Sequence, residues 1–231
     1  MKYKYDLHIH SCLSPCAEND MTPATIVAFA KLSGLDFVAI SDHNAIDNVE
    51  VALKCGAAYG VCVVPAVEIQ TEEDIHLLCL FKNYQNLKAF FNQISFHDLK
   101  NESAIYGEQL VMDEDDNIVR VEERLLLHGA QITPDRVKIL ADEFGGIAIP
   151  AHIDREGNSM LAILGAITDE FKVVELSTKA KNEEVEKWSK DYTVIIDSDA
   201  HTVENIGVSS EIDLPDRSVF ALIDYLRKKS Y

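Results

Sequence analysis

Strand-like and helix-like segments alternate along nearly the whole chain, and this limits its possible folds more than any other feature. "YKYDLHIH", "LDFVAISDH", "VCVVPAVEI", "DIHLLCLF", "GIAIPAHI", "KVVELST" and "YTVIIDSDAH" read as seven short strands. Helical spacing fills most of the intervals, in "TPATIVAFAKLSG", "NVEVALKCGAAYG", "NLKAFFNQISFHDLK", "TPDRVKILADEFG", "MLAILGAI" and "NEEVEKWSKD", with "DRSVFALIDYLRKK" after the last strand. Two of these helices open on Thr-Pro and close on Gly, so that a threonine caps and a proline fills the first helical position. The runs "DFVAI", "VCVVPAV" and "TVIID" are almost continuously apolar, as burial on both faces requires. The pattern predicts a largely parallel sheet covered by helices, either an open doubly wound sheet or a closed barrel.

Between about residues 98 and 130 the pattern lapses. "EQLVMDEDDNIVRVEERLLL" suggests two extended pieces around an acidic turn, a hairpin insertion expected to line the mouth of the site. No repeat or Pro/Ser-rich linker divides the chain, so its 231 residues are expected to form one domain. Apolar residues make up 47%, enough for a substantial core. No apolar run is long enough to span a bilayer, and charges and histidines interrupt the N-terminus, so a cytoplasmic protein without a membrane partner is expected. The five cysteines include no CxxC pair, which favours reduced thiols, with Cys55, Cys62 and Cys79 as small core residues. Lys and Arg total 21 against 39 Asp and Glu, a formal charge of −18. Such a surface repels long polyanions, so no duplex nucleic acid is expected as partner. A small phosphorylated substrate remains compatible if metals or local cations neutralise it.

Polar residues fall at one kind of place in this pattern. The first strand ends His8-Ile9-His10, with both imidazoles on one face and Leu7 and Ile9 on the other. The second ends Asp42-His43, the third reaches Glu68, and the fourth carries His76. The fifth ends at His152 with Asp154 after it, the sixth offers Glu175, and the last ends Asp199-Ala200-His201. Six of the eight histidines belong to this set. In parallel α/β folds the C-terminal strand ends form the active-site mouth. Each group alone could be a cap, a surface residue or a satisfied core residue. Burying them together at one end of a sheet costs several kcal/mol apiece unless they are paired or bind metal. Mixed imidazole and carboxylate suits Zn, Mn or Fe, and the donors are too many for one tetrahedral site. Two to three divalent transition metals are expected.

"DLHIHS", "AISDHN", the glutamate ending "VVPAVE", a following histidine, "IPAH" and "SDAH" together resemble the ordered motifs of the PHP (polymerase and histidinol phosphatase) family. The resemblance runs from about residue 5 to 205. It implies a distorted (β/α)7 barrel with a trinuclear metal centre that hydrolyses phosphate esters. Carried over, it implies His8, His10, Glu68 and Asp199 around one metal. Glu68 would bridge to a second, also held by His76 and His152, and His43 and His201 would hold a third. Asp42 would orient the His43 ring. One position departs from the pattern. Where the family usually has a further third-site Asp or His, this chain has Pro15 and Cys16. Cys16, Glu18 or Asp20 is the candidate substitute, with Cys12 behind them and an acid slightly favoured.

The resemblance, together with this donor set, implies a metal-dependent phosphoesterase, expected to act on a small phosphomonoester or nucleotide. A metal-bridging hydroxide is the expected nucleophile, with Glu68 and Asp199 at the catalytic centre. Arg155 is the leading phosphate clamp, against a salt bridge to Asp154 or Glu156, and Lys179 is a second candidate. The alternatives are an exonuclease acting on short oligonucleotides and a catalytically silent metal-binding module. The sequence does not specify an oligomeric state.

Overall fold

The computed structural model describes residues 1–207 and 210–230. Strand β1 (Lys2–Ile9) is followed by α1 (Pro23–Leu32), β2 (Phe37–Ile40), α2 (Val49–Tyr59) and β3 (Cys62–Gln70). A tight return leads to β4 (His76–Leu80) and α3 (Tyr84–Phe91), then to an insertion of α4 (Ser103–Tyr106), β5 (Leu110–Met112) and β6 (Ile118–Val121). The chain resumes with α5 (Pro134–Glu143), β7 (Ile147–Pro150), α6 (Met160–Leu164), β8 (Val173–Ser177), α7 (Asn182–Trp188) and β9 (Thr193–Asp197). It ends with β10 (Glu211–Asp213) and α8 (Val219–Lys229). The Thr-Pro signals act as read. Thr22 Oγ1 accepts from Thr25 N–H and Thr133 Oγ1 from Arg136 N–H, capping α1 and α5.

Six strands form a curled sheet in the order β10-β1-β2-β3-β4-β7, and β8 and β9 form a separate parallel pair. The pair meets the sheet at both edges, through Ile153 N–H to Glu175 O (2.9 Å) and His10 N–H to Ala200 O (2.9 Å). The six-stranded half-barrel and the parallel pair, eight strands of which β10 only extends the edge beside β1, form a distorted, barrel-like arrangement in a single α/β domain, with two seams that lack a regular ladder. Side chains close these seams. Asp6 receives the N–H and hydroxyl of Ser198 at 3.0 and 2.7 Å, and Asp154 receives those of Ser177 at 2.8 and 2.6 Å. Asp154 therefore clamps a seam and belongs to none of the metal-competent clusters.

Four details differ from the sequence expectation. β4 runs antiparallel to β3, because the return between Gln70 and His76 is far shorter than a parallel crossover needs. β1 is not strictly alternating, since its register with β2 shifts between Asp6 and Ile9. Leu7 consequently packs with Phe37, Ala39, Val64 and Ala66, whereas Ile9 packs with Ile26 and Val27 of α1. α3 stops at Phe91 instead of running on past Ile94. The chain there turns so that the Phe96 ring packs tilted against Phe91, centroids 5.2 Å apart, and Ser95 O accepts from Gln131 N–H. β10, too short to carry a periodic signal, adds antiparallel to β1. The insertion does contain a hairpin, with β5 and β6 antiparallel and Asp113 accepting the N–H groups of Asp115 and Asn117 in its turn.

Candidate metal centre

The strand ends deliver the site. His8 and His10 come from the end of β1, His43 follows β2, Glu68 lies near the end of β3, His152 follows β7, and Asp199 and His201 follow β9. His76 opens β4, and the reversal of that strand brings its first residue to the same rim. His152 and Asp199 hold left-handed backbone conformations, φ +33° and +49°, unfavourable for residues with side chains. Both follow a strand at a seam, where the missing ladder lets the chain turn inward.

Glu68 is fully buried at the middle of this group. One carboxylate oxygen lies 2.9 Å from His76 Nδ1 and 3.3 Å from both His8 Nε2 and His152 Nε2. The other lies 2.9 Å from His43 Nδ1 and 3.4 Å from His10 Nε2. Asp199 Oδ1 is 2.9 Å from His10 Nε2 and 3.4 Å from His8 Nε2. Three overlapping clusters have ligand geometry: His8, His10 and Glu68; His43, Glu68 and His76; and His10, Cys16, His43 and His201.

Several rings are held from behind. The Glu175 carboxylate receives His8 Nδ1–H at 3.0–3.1 Å, which turns Nε2 toward Glu68 and leaves that nitrogen for a ligand bond once it is deprotonated. Ser14 donates to Asp42 at 2.7 Å, and its oxygen lies 3.0 Å from His10 Nδ1 and accepts His43 N–H at 3.1 Å. Asp42 also clamps the N–H and hydroxyl of Ser11. It therefore orients the His10 ring through Ser14, instead of the His43 ring directly. His201 Nδ1 donates to Asp199 O at 2.8 Å.

The electrostatics follow from this crowding. Burial opposes charge on His8, but Glu175, Glu68 and Asp199 raise its pKa well above the ordinary value. Burial is likewise outweighed at His10, by Asp199 and Glu68, and at His43, chiefly by Glu68; both are pushed up to about 9. Despite burial, the surrounding imidazoles hold Glu68 well below the carboxylate range, and His8 and His10 do the same for Asp199. Burial and the neighbouring His10 bring His201 down to about 4. Burial also lowers His76.

The donor set fits a group of divalent ions. Glu68 Oε2, Asp199 Oδ1 and the Nδ1 atoms of His43, His76 and His152 are buried without a hydrogen-bond partner. His43 and His76 Nδ1 nevertheless lie 2.9 Å from Glu68 oxygens. Buried polar atoms are normally satisfied, and nitrogens and carboxylate oxygens that converge in this way suit shared cations that take the place of the imidazole protons.

Of the candidate substitutes at the third position, Cys16 joins His10, His43 and His201, whereas Glu18 and Asp20 are exposed and in no ligand cluster. Cys12 is buried with Leu110 and Met112, and its thiol faces Leu110 O. A cavity of about 390 Å³ opens over the centre, lined in part by Cys16, His43, His76, Leu127, His152 and Arg155. A neighbouring cavity of about 500 Å³ shares Arg155, Asp199 and His201 and is also lined by Lys179. Arg155 is paired to Asp199 Oδ2, not to Asp154 or Glu156. From the insertion, Leu127 reaches the first cavity, and Leu110 N–H binds Cys12 O, bracing the loop that carries Cys16. Sequence reasoning missed Ser14 and left Glu175 unassigned. The Ser at the fourth position after His10 was the available signal for the first.

Known proteins give a consistent picture. The sequence profile of the PHP domain family matches residues 6–204. No curated protein matches the chain. Endonuclease Q from Pyrococcus furiosus superposes with a TM-score of 0.68 at 18% identity, covering 99% of this chain and 56% of its own. This chain thus spans just over half the length of that enzyme. A complex of Endonuclease Q with a 27-mer duplex carrying an abasic lesion at the active site gives 0.69 at 18%, covering 99% and 57%. A candidate metal-dependent phosphoesterase from Bifidobacterium adolescentis gives 0.63 at 18%, covering 94% and 95%. At these identities the superpositions speak for the fold, and the profile match for the family. The chain belongs to the PHP domain family.

Proposed function

We propose that this protein is a metal-dependent phosphoesterase that hydrolyses a small phosphomonoester or nucleotide. The observation that carries the reading is Glu68, fully buried, with its two oxygens facing different sets of imidazoles, among them His43, His76 and His152, which line an open cavity. His8, His10, Glu68 and Asp199 would hold one ion, Glu68, His76 and His152 a second, and His43 and His201 a third. Such ions, when bound, supply Lewis acidity toward phosphate oxygens and an activated water. Glu175 and the Ser14–Asp42 pair keep the ligand nitrogens aimed inward. Arg155, on the wall shared by the two cavities, is placed to exchange its partner Asp199 for a substrate phosphate and to grip it bidentately. Lys179 adds positive charge to the lining of the second cavity.

A nuclease reading draws on the likeness to Endonuclease Q, whose complex holds a DNA duplex. The formal charge of −18 weighs against long polyanions and leaves short oligonucleotides open. A panel of phosphomonoesters, oligonucleotides and a duplex with an abasic site, each supplied with Zn, Mn or Fe(II), separates the readings. Inorganic phosphate from small esters is the expected result. Strand cleavage of the duplex without phosphate release from any monoester would favour the nuclease.

A further inference from the structure

We propose that Cys16 supplies a thiolate to the third ion position, making it a soft nitrogen–sulfur site beside two nitrogen–oxygen sites. The inference rests on the metal-dependent reading above and concerns what this chain uses where its motif departs from its family. Cys16 offers its sulfur within a cluster of ligand atoms from His10, His43 and His201, all within 4.8 Å of one another. The ring centroids of His43 and His201 each lie 4.4 Å from that of His10. His43 is nearly fully buried, and its Nδ1 lies 2.9 Å from Glu68, which anchors the ring between that carboxylate and the cysteine cluster. His201 spends its Nδ1 proton on Asp199 O, which frees Nε2 for a ligand bond.

The loop around Cys16 is built to hold it there. Ala17 N–H binds Ser14 O, Glu18 N–H binds His201 O, and Met21 N–H binds Glu18 O. The second of these bonds ties the cysteine loop directly to a residue of the cluster. No carboxylate belongs to this group among the described residues. With His10 serving the first ion, His43, His201 and the Cys16 thiolate would hold the third and leave room there for substrate; zinc accepts such a nitrogen–sulfur donor set. Thiolate ligation selects Zn, Fe(II) or Co over Mn and Mg, so this position discriminates among metals where its neighbours do not.

Cobalt(II) substitution tests this through a property of the sulfur–metal bond itself. The expected result is a near-ultraviolet thiolate-to-cobalt charge-transfer band that saturates at one equivalent per chain. Cys16→Ser should lose the band, and Cys12→Ser should keep it. Cys16→Asp should lose it too while still taking up the third cobalt through oxygen. Cys16 is the one exposed thiol, and Zn should slow its alkylation by iodoacetamide by about tenfold or more, whereas Mn should protect it far less. Metal uptake with phosphate release but no such band, or a band surviving Cys16→Ser, would overturn the assignment and leave the phosphoesterase reading standing. A protein that takes up no cobalt, zinc or manganese would overturn both.

Discussion

Glu175 lies fully buried behind His8, with both carboxylate oxygens within hydrogen-bond distance of Nδ1. A carboxylate in that position fixes the tautomer and the basicity of the imidazole in front of it. Glu175→Gln should therefore weaken binding of one metal by about 10–100-fold while leaving the fold intact, read by metal titration beside circular dichroism. Unchanged affinity would remove it from the centre's support. Arg155→Lys keeps the charge and loses the fork, so turnover should fall well before thermal stability does; equal turnover would leave Arg155 with Asp199 alone. The titration of the site gives a third expectation. In the metal-free protein His8, His10 and His43 hold protons above neutral pH because Glu68, Asp199 and Glu175 favour their charged forms. Those protons must leave before the nitrogens can bind metal, so uptake at neutral pH should release protons. Affinity should climb as pH rises from neutral toward about 9, where His10 and His43 lose their protons. Affinity flat between neutral pH and 9 would contradict this. The histidines were legible because each sits at the end of a short apolar run. The roles of Glu175 and Ser14 were not, because a carboxylate inside a strand and a serine in a loop show no partner until the strands close.

At the scale of elements, much depends on how closely helices approach the barrel. Gly56 of α2 faces β3 so closely that a Cβ there would lie 2.5 Å from Val63 Cγ2 and 2.9 Å from Val61 O. One of those contacts is backbone, which cannot rotate away. Gly56→Ala should cost about 1–3 kcal/mol and lower Tm by roughly 2–4 °C for each of them. An unchanged Tm would mean that α2 can shift outward freely. The Thr-Pro caps and the continuous apolar strands were readable because their causes are local. The bulge in β1, the reversal of β4 and the early end of α3 were not. The bulge and the early helix end are decided by contacts between distant segments, such as Ser95 with Gln131, and the reversal by the length of a return, none of which periodicity registers.

The whole molecule combines a strongly acidic surface with a centre where six imidazoles and two carboxylates converge. The barrel seams reconcile the two. By giving up ladder hydrogen bonds between β9 and β1 and between β7 and β8, the fold lets Asp199 and His152 turn inward in left-handed conformations. Aspartate–serine clamps hold the edges together. If Glu68 is shared among several ions, its charge should be indispensable to them, and elemental analysis of wild type and Glu68→Gln, each reconstituted with Zn, Mn and Fe(II), tests this most directly. The wild type should hold at least two transition metals per chain, and the folded variant should lose at least one of them together with turnover. One ion or fewer in the wild type would contradict it. So would a variant that keeps every ion and stays within about tenfold of wild-type turnover, a barrier difference of roughly 1.4 kcal/mol.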